Sequence, residues 1–435
     1  MLKNSLLTIL KKEIKPAIGC TEPVAVALGA AIVADLLQEQ VTFLEVKVDP
    51  NIYKNGMGVY VPGTKEKGLV IAAALGAIGG KAHLELEVLK DITETHYLQA
   101  QNLVQQGRVK VSYIPRHQGV LVNIKGQSKN NQAQVIISKT HTNVVYKELN
   151  GEVLLDTTKS IDDQQGSDLN LIKQLTIEQI IGQVNSFQES ELRFLEKIRT
   201  VNKQIAELGL TRPMGMGVGY QWYNLMTQGI IPKDLVNLCK AYTGAATDAR
   251  MSGQNLPVMS CAGSGNQGLM ASLPVIITGE FLKASPEKLY RALALSFLVT
   301  IYVKTHIGRL SAICGCAVAA SLGAGAGIGY LWELDSQKIK GIINNIAADI
   351  SGMVCDGAKP GCALKMVTAI DASLQMAFLA KQGVIIEPKS GIVSSSPEET
   401  IRNIGYLSNP GMLETDKTIL EIMVREQEKE QQKLA

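Results

Sequence analysis

Two different spacings of apolar residues divide the chain. From Ser5 to about Gln38 they recur at helical intervals, and the segment Glu22–Leu37 (EPVAVALGAAIVADLL) follows Thr21, a suitable cap, with Pro23 in the first turn. From Val41 the interval shortens. The pieces VTFLEVKVDP, MGVYVPGT, LELEVLKD, VKVSYIP, GVLVNIKGQ, QAQVIISK and TNVVYKELNGEVLL are short, often alternating and bounded by Gly, Pro, Asn or Asp, which predicts half-buried strands. The polar stretch Leu155–Asn170 is the expected linker. Beyond it, starting with the run Leu171–Leu208, the pattern is helical almost to the end. The Gly- and Ala-rich segments VAASLGAGAGIGYL and IKGIINNIAADISGM predict closely packed buried helices, and Leu413–Ala435 an amphipathic helix exposed on one side. The expected fold class is α+β: a mainly α-helical domain over 161–435, a smaller α+β domain over 41–160 inserted near the N-terminus, and residues 1–40 packing on the helical domain.

Composition narrows the partners. A chain of 435 residues exceeds one ordinary core, and 46% hydrophobic with 19% charged residues is a globular balance. A net charge of +3 with both signs mixed, and only 5% aromatics, gives no support for a nucleic-acid partner. The start MLKNSLLTILKKEIKP is interrupted by Lys3, Lys11, Lys12 and Glu13, so the unbroken apolar stretch of a signal peptide is missing. Ala312–Trp332 is uncharged and about long enough to span a bilayer. Its Cys314, Cys316, Ser321 and run of Gly and Ala favour a buried helix instead. The expectation is a cytoplasmic protein with no membrane partner.

Cysteine usage brings in the chemistry. There are seven, Cys20, Cys239, Cys261, Cys314, Cys316, Cys355 and Cys362, and an odd count without a secretory signal argues against a disulfide framework. In GMVCDGAKPGCALKM, turn-forming residues between Cys355 and Cys362 let both sulfurs converge. A third thiol from Cys314 or Cys316 would complete three ligands for one iron–sulfur cluster. A cluster held by three cysteines keeps one iron open as a Lewis acid. Ordinary buried cysteines would read the same, and zinc is a further option whose common spacings do not match.

Cys20, in KPAIGCTEPVAVALGAA, stands just before a helix start, where unpaired N–H groups and the dipole favour a thiolate. Such a thiolate suits a general base or a nucleophile, with a structural half-buried cysteine as the alternative. SCAGSGNQG (Ser260–Gly268) reads as a loop leading into a helix at Gln267, offering N–H groups to a carboxylate or phosphate, and NGMGVYVPGT (Asn55–Thr64) as a second loop. His306, eight residues before Cys314, could orient substrate or relay protons, although a satisfied core or surface histidine is the commoner case. Lys304 and Arg309 could bind a carboxylate, with solvated charges as the default.

Taken in order, KPAIGCTEPVAVALGAA, VDPNIYKNGMGVYVPGT, MSCAGSGNQGLMASLPV, AICGCAVAAS and CDGAKPGC resemble the L-cysteine desulfidase family, which takes in YhaM-like (UPF0597) proteins. That family is related to the α-chain of the iron–sulfur L-serine dehydratases, and the resemblance covers essentially the whole chain. IGCTEPV occupies the place of the dehydratases' Ser-rich substrate loop and AGSGNQG that of their Asn-Gly loop. Cys20 standing where a Ser-type residue is usual tilts the expected substrate from serine to cysteine. The resemblance implies a [4Fe–4S] cluster on Cys355, Cys362 and Cys314, with Cys316 replacing Cys314 if the alignment slips, and no pyridoxal phosphate. It also implies Cys20 as active-site base. The expected reaction is β-elimination from a small L-amino acid to sulfide, ammonia and pyruvate, with the substrate held by Thr21, Ser264, Gly265, Asn266 and His306. Two alternatives stay open: an L-serine dehydratase of the same type, and a non-catalytic iron–sulfur or amino-acid sensor. A homodimer is left open as the assembly, and the active site is expected where the domains meet.

Overall fold

Leu44, Val46 and Val48, Val122 and Ile124, and Val135 and Ile137 are buried at alternate positions, the signature of strands with one covered face. In the computed structural model, which describes residues 2–115, 117, 119–158 and 164–434, they lie in a six-stranded sheet. The first part of the chain runs α1 (Leu2–Glu13), β1 (Pro16–Ile18), α2 (Thr21–Leu37), β2 (Phe43–Val48), α3 (Pro50–Met57), α4 (Leu69–Gly79) and α5 (Glu94–Gln105). It continues through β3 (Val109–Tyr113), β4 (Leu121–Gln127), β5 (Gln132–Ser138), β6 (Val144–Leu149) and β7 (Glu152–Asp156). Strand order is β3-β2-β4-β5-β6-β7, and only β2 and β3 are parallel.

Residues 1–40 do not all pack on the helical part, as the sequence led us to expect. Leu6, Ile9 and Leu10 of α1 join the helical core, but α2 joins the core of the sheet. The physical reason is that α2 is apolar on every side and must be covered all round. Strands β4 and β5 cover one side and α4 another. Small residues allow the close approach: a Cβ at Gly76 of α4 would run into the carbonyl oxygen of Ala27.

The remainder is helical: α6 (Gln164–Lys173), α7 (Ile177–Ser186), α8 (Glu189–Leu192), α9 (Glu196–Thr211), α10 (Val218–Thr227), α11 (Leu235–Met251), then β8 (Pro257–Met259). After it come α12 (Gly265–Phe281), α13 (Pro286–Ile307), α14 (Ala319–Leu331), α15 (Ser336–Ile350), α16 (Cys362–Lys381), α17 (Pro397–Tyr406) and α18 (Leu413–Leu434). The glycine- and alanine-rich α14 is buried except at Tyr330, touching α12, α13, α15 and α16. Strand β1 pairs antiparallel with β8, so the chain touches the helical part both before and after it builds the sheet.

Three segments differ from their predicted form. LELEVLKD is a 3-10 turn over Ala82–Glu87 with Glu85 at φ 48°, since its short alternation is satisfied by burying Leu86, Val88 and Leu89 without a sheet partner. Asn55 to Met57 form the last turn of α3 and not a loop, and MGVYVPGT contributes only an isolated bridge between Tyr60 and Lys67. Within Leu155–Asn170, residues 159–163 lie outside the described residues, and the flanks belong to β7 and α6. The uncharged stretch Ala312–Trp332 yields a helix of 13 residues. Among the described helices, α16 alone is long and apolar enough to cross a membrane by length and composition, and it packs on α11, α14 and α15.

Gly76→Ala tests the α2–α4 contact. The new methyl group meets backbone, which cannot swing aside, so a loss of about 1–3 kcal/mol is expected in urea unfolding. An unchanged midpoint would show that the two helices can separate at little cost.

Candidate functional site

Three helices begin around one cavity. Cys20 (φ −79°, ψ 138°) precedes α2, Ser264 (φ −133°, ψ 128°) precedes α12, and Cys362 is the first residue of α16. In none of them does the cap residue fold its own side chain back onto a helix N–H. The partial positive charge of three amino termini therefore bears on the same space. The sheet side lends Cys20, Glu22, Asn55 and His141 to the cavity wall. The helical side lends Arg250, Ser264, Asn266, Gln267 and Lys304, and also the four thiols Cys314, Cys316, Cys355 and Cys362.

On the sheet side, Glu22 gathers donors. The Cys20 thiol donates to Oε2 at 2.8 Å, the Thr21 hydroxyl to the same oxygen at 3.1 Å, and the Asn55 amide to Oε1 at 3.0 Å. Burial pushes the Cys20 thiol well up, and the Glu22 charge adds to it, outweighing Arg250. The lowered thiol pKa expected from the helix start is therefore reversed: a dipole worth about 1 kcal/mol does not overcome full burial beside a carboxylate. Burial also pushes Glu22 up, but the charge that His141 carries when protonated and the hydrogen bonds from Cys20 and Asn55 leave it below its ordinary value. The pair is an ionised carboxylate holding a protonated thiol.

On the helical side, backbone pairing assembles the cysteines. The N–H of Cys314 donates to the Met353 carbonyl at 2.8 Å and that of Cys355 to the Ala312 carbonyl at 2.6 Å, around an isolated bridge between Ile313 and Val354. From Cys355 the chain turns back to Cys362 through Gly357 at φ 86°, where a Cβ would also lie 2.6 Å from the Lys54 carbonyl oxygen, so only glycine suits the turn. Lys359 and Lys365 both pair with Asp356 inside this turn. Hydrogen bonding with Cys316 and burial push the Cys314 thiol up to about 12, against a lowering contact from Cys355. Hydrogen bonding with Cys314, together with burial, raises Cys355, and burial raises Cys362. Cys316 also places its sulfur 3.5 Å from the Ser264 hydroxyl.

Two buried cations complete the wall. Arg250 is 2% exposed, and its guanidinium donates to Asn266 Oδ1 at 2.8 Å and to the Gly19 carbonyl at 2.6 Å. Lys304 donates to the Arg309 carbonyl at 3.0 Å, and burial brings its pKa down to about 8. Among the described residues both cations have neutral partners, an arrangement that favours an anion between them.

Of the site residues expected from the sequence, Cys20, Ser264, Asn266, Cys314, Cys355 and Cys362 line this cavity. Thr21 stands one step behind, bonded to Glu22, and Gly265 lies where a Cβ would strike the Arg250 guanidinium. His306 is elsewhere. It lines a separate cleft, its ring against Tyr302 with centroids 5.0 Å apart, because its place near the end of α13 turns it away from the cysteines. Glu22, His141, Arg250 and Gln267 were not anticipated. Glu22 could have been noticed as a charge in the first turn of an otherwise apolar helix, and Arg250 as a charge ending the small-residue run TGAATDARM. His141, in the turn between β5 and β6, carries no sequence signal.

Among the described residues no group of three or more His, Cys, Asp or Glu side chains is drawn together to hold a single metal ion. A multi-iron cluster makes a different demand, since its cysteines bind separate irons around a shared space. Four soft thiol donors on the helical wall of one cavity, beside buried cations that favour an anionic assembly, have the chemistry that a thiolate-bound cluster requires.

The family model described as serine dehydratase alpha chain matches residues 83–421. A UPF0597 protein of Clostridioides difficile (strain 630) is 42% identical over 420 residues, covering 96% of this chain and 98% of that protein. Another, from Desulforapulum autotrophicum, is 44% identical over 432 residues, covering 97% and 98%.

The position of His306 gives a pH test. Burial brings its pKa down to about 4 from an ordinary 6.5, so the unfolded chain takes up its proton first. Its share of stability is fully present above pH 6.5 and lost as pH falls towards 4. His306→Gln is expected to flatten the acid side of the stability curve in that window while leaving substrate KM unchanged. A raised KM would return His306 to the binding site.

Proposed function

Because the chain belongs to the serine dehydratase α-chain family, and within it to the UPF0597 proteins, we propose that it is a lyase acting on a small L-amino acid. The reaction is removal of the β-substituent and then the amino group, with L-cysteine the leading substrate and L-serine the alternative. One observation carries this reading: a single cavity joins the Cys20–Glu22 pair, the start of α12 and the cysteine cluster wall.

The substrate carboxylate suits the α12 end. There Ser264 offers its hydroxyl, and Asn266, its carbonyl taken by Arg250 and its amide donating to the Met251 sulfur at 3.5 Å, keeps one further amide N–H to give. Arg250 and the helix start supply the positive field that holds the anion. When bound, a [4Fe–4S] cluster on Cys314, Cys355 and Cys362 would supply an open iron as Lewis acid for the departing thiol or hydroxyl. No step requires pyridoxal phosphate.

The proton inventory follows from the Cys20–Glu22 pair. In the resting arrangement the two groups share one proton, held on sulfur. Passing it 2.8 Å to Glu22 Oε2 makes Cys20 a thiolate able to take the proton from the substrate's Cα. The Cα–H electron pair becomes the Cα–Cβ double bond, and the β-group leaves with its own bonding pair. The released aminoacrylate tautomerises to an imine, and water converts it to pyruvate and ammonia. Leucine or aspartate at position 22 would break this exchange, one by removing the acceptor and the other by shortening its reach.

Anaerobic purification with iron and sulfide counting, then pyruvate release from L-cysteine and L-serine, tests the reading. About four irons per chain are expected. Cys355→Ala should lose cluster absorbance and activity together, whereas Cys20→Ala should keep the iron and lose roughly a hundredfold or more in kcat. A colourless but active Cys355→Ala protein would refute the proposal. A preference for serine would change the substrate and leave the reaction class standing, and cysteine binding without pyruvate would favour a sensor.

A further inference from the structure

His141 is 4% exposed, and neither of its ring nitrogens has a hydrogen-bond partner among the described residues. Buried imidazole nitrogens are normally satisfied, so such a group calls for a partner that comes and goes. Its surroundings show where that partner would be. His141 lines the cysteine-walled cavity and also a second cavity on its outer side, whose wall includes the exposed Lys12 and the half-buried Lys15 and Thr140. Gly263 and Arg309 are the other residues common to both, so the ring stands at the neck between them. A Cβ at Gly263 would lie 3.2 Å from Nδ1, which puts the ring directly against the loop that presents Ser264.

We propose that His141 is a further catalytic residue, a proton carrier at the neck that faces the substrate on one side and the outer cavity on the other. The inference rests on the elimination reading, which leaves a proton to dispose of. After elimination the Cys20–Glu22 pair holds two protons where it began with one. The surplus must leave before the next turnover, and both groups are buried. A neutral His141 accepts it on one ring nitrogen and releases it from the other to water in the outer cavity, or to the departing β-group. Charge and atoms then balance over the cycle: the Cα proton is delivered to solvent or to the leaving group, and every protein group returns to its first state.

The charged groups facing His141 are compatible with this use. Burial lowers its pKa, Glu22 from α2 opposes that, and Arg309 and Lys304 from the end of α13 and the loop beyond it reinforce it. Arg309 is itself paired with Glu13 at 2.7 Å, and Glu13, Lys12 and Lys15 face the outer cavity. A neutral ring beside a carboxylate that gains a proton each cycle is poised to accept and not to hold.

The test uses iron-replete His141→Gln beside the wild-type enzyme, with ordinary and α-deuterated forms of whichever amino acid the wild type turns over. The expected result is a kcat lower by about a hundredfold or more, at wild-type iron content. The α-deuterium effect on kcat should shrink towards one, and a solvent deuterium effect should grow, as proton release overtakes C–H cleavage. A merely structural role would leave both isotope effects where they were. If the glutamine variant loses iron, labelled-histidine NMR of the wild-type holoenzyme decides instead. L-alanine, a substrate shape with no leaving group, should shift the His141 resonance. A variant with kcat within about twofold of wild type, unchanged isotope effects or an unmoved resonance each overturns the inference. Wild-type enzyme releasing no pyruvate from either amino acid would overturn the elimination reading, and this inference with it, and is a separate result from an unaffected His141→Gln.

Discussion

A single buried guanidinium joins the two halves of the site. Arg250 at the end of α11 reaches the Gly19 carbonyl on one side and the Asn266 amide on the other, with a glycine at 265 leaving room for its Nε. Gly19 has φ 72°, a conformation that glycine takes without strain, and from it the chain enters Cys20 and α2. The thiol of Cys20 and the start of α12 are therefore fixed relative to each other through one side chain. The short β1–β8 pairing lies immediately before both, with Ile18 opposite Pro257. Removing the guanidinium would leave a carbonyl and an amide oxygen unpaired in a buried place, which typically costs more than the bonds themselves contribute.

Charge then explains why the remaining groups are arranged as they are. Arg250, Lys304 and three helix starts make the cavity receptive to anions, while its thiols are held protonated by burial and by one another. Those two facts are complementary. Thiols bind metal only as thiolates, so metal binding at Cys314, Cys355 and Cys362 would release protons and leave negative charge beside the buried cations. Glu22 is the exception, the one carboxylate on the wall among the described residues, and it is spent on holding Cys20, Thr21 and Asn55. The same network therefore sets the acid–base chemistry and the polarity of the space in which it acts.

Much of this was legible in the sequence, and the limits have physical causes. The thiols were legible because cysteine is scarce and GMVCDGAKPGC carries its own turn chemistry. The SCAGSGNQG loop and Cys20 were legible because small residues before an apolar helical run mark a helix start. Five of the strand segments were legible from their period. LELEVLKD was not, because alternation alone cannot tell a strand from a turn that buries its apolar residues locally. Glu22, Arg250 and His141 were illegible for another reason: their roles come from distant neighbours. Asn55 lies 33 residues from Glu22, and Gly19 lies 231 from Arg250. His306 was overvalued for being near the cysteines in the chain, whereas the rotation of α13 decides what it faces.

The pair Cys314 and Cys316 shows how finely that last distinction is drawn. Both sulfurs line the cavity, but their neighbours differ. Cys314 belongs to the backbone bridge that sets it beside Cys355, and the two thiols are hydrogen-bonded. Cys316 lies two residues on and meets the Ser264 hydroxyl as well as the Cys314 thiol. Between them, a Cβ at Gly315 would stand 3.0 Å from the Lys304 ammonium, so the missing side chain is what lets that charge approach. Read in order, ICGC supplies a thiol for the cysteine group, room for a buried cation, and a thiol against the loop that would hold the substrate.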